Sequence, residues 1–164
     1  MSDTSLSGSE VLQWADETAT KWFALMEEHP AILALPCDIM NVQSVAQLMQ
    51  HIVAVELRYA ERLTGQEVTP YEQVPYGSLA EITASHTKAH TLFAELLKKP
   101  DLDWEEEIEF VTRSMGTVMA SRRKVFFHAQ MHGIRHYAQL ATLVRQHDIK
   151  PGWMMDLMAT RALR

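Results

Sequence analysis

Cys37 is the only cysteine among the 164 residues. An intrachain disulfide framework is excluded, which fits a reducing compartment. Pro36-Cys37-Asp38 has no CxxC partner, so ordinary packing is the plainer reading of the thiol. No stretch approaches eighteen consecutive apolar residues, and a membrane span is not expected. The opening MSDTSLSGSEV has neither the basic start nor the apolar core of a signal peptide, so a cytoplasmic protein is the expectation. Basic residues are few: 15 Lys and Arg against 21 Asp and Glu give a net charge of −6. That balance argues against broad electrostatic capture of nucleic acid or anionic lipid. A phosphate-gripping glycine loop, a Ser-His-Asp triad, internal repeats and low-complexity segments are also missing.

What is present is helical periodicity. Residues 2–9 read as a short flexible lead with Ser7 or Ser9 available as a cap. From Glu10 to Glu28, Val11, Trp14, Ala15, Thr18, Trp22, Leu25 and Met26 recur at helical spacing, and Pro30 ends the run. The connector AILALPCDIMN follows. Ser44, with Gln47 three residues on, predicts a capping box for a second helix carrying Val45, Leu48, Ile52, Val55 and Tyr59, stopped by Gly65. GQEVTPYEQVPYG reads as a loop crossing the molecule. A third helix opens at the box Ser78-Leu79-Ala80-Glu81 and carries Leu79, Ile82, His86, Ala89, His90, Phe93 and Leu97 to a stop at Pro100. In WEEEIEFVTRSMGTVMA, the alternation of Ile108, Phe110 and Thr112 before Gly116 predicts a hairpin, in competition with a helix starting at Trp104. Ser121 caps a last long helix running to Gln146, and WMMDLMATRAL adds a short terminal turn. The simplest assembly is a single all-α domain over 1–164, a four-helix bundle with one long crossover and a small extended segment before the last helix.

The last helix raises the chemical question. His128, His132 and His136 follow one another at four-residue steps, within an arc of ~80° on a face shared with Val125, Ala129, Leu140 and Leu143. Imidazoles one turn apart can hold one ion, but His128 and His136, ~12 Å apart along the axis, cannot readily share it. One adjacent pair is therefore expected to bind, with the remaining ligand from another helix. His51 sits beside the buried row of the second helix, and His86 with His90 forms a rival pair on the third. Periodicity leaves that choice open.

Two blocks, QLMQHIVAVELRYAERLTG and FFHAQMHGIRHYAQLATLVRQHDIK, are similar to the signatures of the DinB/YfiT-like superfamily. The resemblance extends loosely from Val11 to about Asp156. It implies a DinB-like four-helix bundle, often dimeric, that holds a divalent ion with three histidines, here His51, His132 and His136. Where the commoner family ending has consecutive histidines followed by arginine and glycine, this chain reads Arg135-His136-Tyr137-Ala138-Gln139. The ligand position survives and the arginine after it is missing. Zinc or nickel is the first expectation for the ion, with manganese or iron also compatible with nitrogen ligation. Relatives so described imply a metal-dependent transferase or hydrolase acting on a small molecule, with a low-molecular-weight thiol as a candidate cofactor. The alternative is a non-catalytic, metal-stabilised homodimer serving as a binding or stress-response scaffold.

Other residues carry two readings each. His128 is a packing residue or a hydrogen-bonding support to the ion's ligands. Glu56, some 140° around the helix from His51, reads as a surface or salt-bridge residue rather than a ligand. His86 and His90 are a satisfied core pair or line a pocket mouth. Tyr59 and Tyr137 are core aromatics or pocket donors. Trp14 and Trp22 read as core or as cover for a dimer face or pocket, and the abundant methionine mostly as gap-filling core. The basic run Arg122-Arg123-Lys124 reads as a solvated start to the last helix or as an anion-binding group, and its place at a helix N-terminus is electrostatically awkward for the cations.

Overall fold

A computed structural model describes residues 5–162. Four helices, α1 (Gly8–Glu28), α2 (Val45–Thr64), α3 (Leu79–Leu97) and α4 (Arg122–Gln146), carry the core, with a hairpin of β1 (Glu107–Thr112) and β2 (Gly116–Ser121) ahead of α4. α1 and α2 each pack against both α3 and α4. Helices consecutive in sequence, α1 with α2 and α3 with α4, therefore face each other across the bundle diagonal. The crossing connections are those two, and the 65–78 loop joins the neighbours α2 and α3 instead of crossing the molecule.

Local chemistry sets the boundaries. The Ser7 hydroxyl accepts from Glu10 N at 3.2 Å while Glu10 Oε2 accepts from Ser7 N at 2.7 Å, a complete capping box. α1 thus begins at Gly8, two residues before the expected start, and shortens the expected 1–9 lead; residues 1–4 lie outside the described residues. Ser78 and Glu81 close a second box on α3. At α2 the expected box is only half made: Ser44 caps Gln47 N, but the Gln47 side chain accepts from Gln43 N instead of Ser44 N. Ser121 caps α4. The awkward cations there meet carboxylates, Arg122 pairing with Glu106 and Arg123 with Glu105.

The hairpin forms because β1 and β2 pair in register from Glu107–Ser121 to Thr112–Gly116. Gly116 takes the positive φ of 67° that closes the turn, and the competing helix from Trp104 does not form. Trp22, Tyr137, Phe93, Phe126, Ile52 and Leu140 are among the largest fully buried side chains, so Trp22 is core as expected. Methionine departs from expectation: Met26 and Met49 are buried, but Met40, Met115, Met119, Met131, Met154 and Met158 are exposed. The buried Cys37 thiol, its pKa raised chiefly by that burial, is a packing residue. After α4, a single 3-10 turn, Leu157–Ala159, lies in a tail fastened to α1 by Thr160 Oγ1 and Arg161 N donating to Glu17 Oε2. Among the described residues no helix is long and apolar enough to cross a membrane.

Candidate metal centre

α2 and α4 approach closely because Gly133 presents no side chain between them: a Cβ there would stand 3.1 Å from Glu56 Oε1 and 3.6 Å from Ile52 Cγ2. The approach brings His51 of α2 onto His132 and His136 of α4. His132 Nε2 lies 3.0 Å from His51 Nε2 and 3.2 Å from His136 Nε2. Nitrogens bound side by side to one ion at ~2.1 Å stand roughly 3 Å apart, so this spacing suits a common ion.

Donor chemistry agrees with the spacing. The Gln139 side-chain oxygen lies 2.7 Å from His136 Nδ1, which places the proton on Nδ1 and leaves the Nε2 lone pair toward the other two rings, where Arg135 Nη2 also reaches it at 3.2 Å. Burial lowers the pKa of all three, His51 to about 4 and His132 to about 2, with the neighbouring rings and Arg135 pushing the same way on both. His136 is lowered as well, against the support of Gln139. The rings are therefore neutral at pH 7, the protonation state a metal requires. Three neutral imidazoles crowded at hydrogen-bond distance cannot all satisfy one another, whereas an ion takes all three lone pairs.

His132 and His51 open onto a cavity of about 670 Å³ that Tyr59, His128 and four arginines, Arg58, Arg62, Arg113 and Arg135, also line. From the 65–78 loop, Tyr71 joins the lining. Gln50 donates to the Val74 carbonyl at 2.8 Å, Arg58 Nε to the Thr69 carbonyl at 3.0 Å, and buried Glu61 accepts from Thr69 N at 2.8 Å. These bonds hold Tyr71 with its ring centroid 6.4 Å from that of His51.

The rival histidines go elsewhere. His86 Nδ1 lies 2.8 Å from Glu56 Oε2 and its Nε2 3.2 Å from Asp16 Oδ1, with the His90 ring 4.0 Å from its own. Asp16, His86 and His90 form a second group compact enough for an ion. The two carboxylates, though, hold His86 protonated with its pKa raised to about 9, so the group closes on itself as an ion-pair network. Glu56 is thus a salt-bridge residue, but a buried one and not a surface one. His128 is exposed, edge-on to Tyr59 at 5.6 Å and 5.7 Å from the His132 ring, so it stands at the cavity wall and not in the core. Tyr59 faces the cavity. Tyr137 is fully buried and stacks on Trp22 at 6.1 Å, away from the cavity wall.

Sequence reasoning passed over the arginines. Arg58 and Arg62 were accessible to it, since His51, Val55, Arg58 and Arg62 follow at steps of four, three and four along one stripe of α2. Arg113, on the hairpin turn, offers no such signal.

The model of the DinB family matches residues 1–161. The chain belongs to the DinB family. The family match covers both helices that supply the histidine cluster, and the fold has the four-helix bundle the resemblance implied, with the hairpin that the alternation before the last helix predicted. The buried three-histidine group is capable of holding a divalent ion, consistent with a DinB-like metalloenzyme. A comparison with curated proteins gives no match.

Proposed function

We propose that this DinB-family chain acts, as a single domain, as a divalent-metal-dependent transferase or hydrolase on a small molecule, with His51, His132 and His136 as the metal ligands. The observation that carries the reading is the convergence of three neutral imidazole nitrogens beneath an open cavity of about 670 Å³. Zinc or nickel fits the all-nitrogen set best; manganese and iron are accepted by the same donors. A divalent ion held by three protein ligands supplies Lewis acidity at a remaining position, where a water or a low-molecular-weight thiol becomes nucleophilic near neutral pH. The chain's own residues prepare that position. Gln139 fixes the His136 tautomer, Gly133 lets the two ligand-bearing helices close, and the pinned 65–78 loop sets Tyr71 in the cavity lining. With no cysteine other than buried Cys37, a thiol co-reactant has to come from solution. The family resemblance further suggests a homodimer, which sedimentation analysis would test.

Elemental analysis of untagged protein prepared without chelator is the direct test. Close to one divalent ion per chain is expected in the wild type, with near-complete loss in each of His51→Ala, His132→Ala and His136→Ala. His86→Ala should keep its metal. A folded, dimeric wild type that neither carries nor takes up metal would replace this reading with the scaffold alternative.

A further inference from the structure

The cavity above the histidine cluster differs in charge from the molecule around it. Four arginines line it and no Asp or Glu does, although acidic residues outnumber basic ones by 21 to 15 in the chain. None of the four is in an ion pair among the described residues, whereas Arg122 and Arg123, outside the cavity, both find glutamates. Neutral groups hold the cavity arginines instead. Arg58 Nε donates to the Thr69 carbonyl, Arg62 stands 4.7 Å from the centroid of Phe110, and Arg113 lies 3.8 Å from that of Tyr71; Arg135 Nη2 lies 3.2 Å from His136 Nε2, a contact that an ion on that nitrogen would displace, freeing Arg135 for an anion. Such contacts orient a guanidinium without neutralising it.

Like charges gathered this way repel. Burial, together with the charge of Arg58, lowers the pKa of Arg62, and the fields of Arg113 and Arg135 both reach His51. The arginines come from three elements, α2, the hairpin turn and α4, so they surround the cavity and do not form a surface stripe. An oxyanion among them would relieve the repulsion and accept the paired N–H donors of a guanidinium.

We propose that the cavity binds small substrates bearing a carboxylate or phosphate group, gripped by these arginines so that the reacting atom rests over the histidine cluster. The proposal rests on the reading of that cluster as the reactive metal centre and adds the substrate class to it.

Calorimetric titration of succinate, inorganic phosphate and neutral succinamide into zinc-treated and metal-stripped full-length protein tests it, with metal content recorded for every sample. Succinate or phosphate should bind, and succinamide at least about tenfold more weakly than succinate. Arg58→Gln and Arg113→Gln should each weaken the anion about tenfold, Arg58→Lys should recover part of the loss, and Arg123→Gln should change nothing. Tighter succinate assigns a carboxylate substrate and tighter phosphate a phosphorylated one; either supports the proposal. Absence of anion binding, equal affinity for succinate and succinamide, or indifference to both arginine substitutions overturns it, even with metal content intact. Arginine-dependent anion binding by a protein that takes up no metal would uphold the anion site and remove the metal reading beneath it.

Discussion

His86 lies 2.8 Å from the Glu56 carboxylate and 3.2 Å from that of Asp16, and the pair raises its pKa to about 9 in spite of burial. In the unfolded chain the same ring titrates near 6.5. Its stabilisation is therefore full below pH 6.5 and is lost as the pH rises through 9, on the order of 2–3 kcal/mol. His90 behaves oppositely: burial and the charge on His86 lower its pKa to about 4, so its contribution is present above pH 6.5 and is lost as the pH falls toward 4. Urea unfolding at fixed metal content should find the wild type less stable at pH 9 than at pH 6.5, with His86→Gln weaker at pH 6.5 and nearly flat across the interval. At this scale the spacing of His128, His132 and His136 was visible, and so was the need for a ligand from another helix. Which helix supplied it was not, because His51 and His86 both lie on inward stripes. The choice depends on how α2 turns against α4, and on carboxylates, Glu56 and Asp16, that claim His86 from positions 30 and 70 residues away.

Between elements, Gly133 decides how near α4 comes to α2. A β-branched side chain there would press on Glu56, whose other carboxylate oxygen is held by His86, and on Ile52. Gly133→Val is expected to cost about 2 kcal/mol or more, since over-packing outweighs the gain in helix propensity, and to weaken metal uptake by separating His51 from its partners. Thermal unfolding and elemental analysis of the same sample would measure both effects. Element boundaries were largely legible: the serines at 7, 78 and 121 cap the helices they were expected to cap, and the alternation at Ile108, Phe110 and Thr112 disclosed β1. The half-made box at Ser44 and the exposed methionines were not legible. Gln47 had a nearer donor in Gln43 N, and methionine is apolar enough for a core yet flexible enough to be left at a surface.

Across the whole molecule, the chain after α4 turns back so that Trp153 meets Trp22 edge-on at 5.4 Å and Thr160 reaches Glu17. Trp153→Ala should cost about 2 kcal/mol, less than for a fully buried tryptophan because the residue is only partly covered, and should alter the fluorescence of Trp22 without loss of metal. The diagonal placement of α1 with α2 and of α3 with α4 could not be read from the sequence, where the prolines and glycines of the 65–77 segment suggested that it made the crossing. That placement divides labour within the molecule. Every histidine of the cluster stands on a helix locked into the bundle, whereas Arg113 rides on a two-stranded projection whose turn, from Thr112 to Gly116, contributes no residue to the fully buried interior. Hairpin turns accept insertions and exchanges that helix interfaces do not. On the proposed function, exchanging this one hairpin would change what the cavity admits and leave the histidine cluster in place.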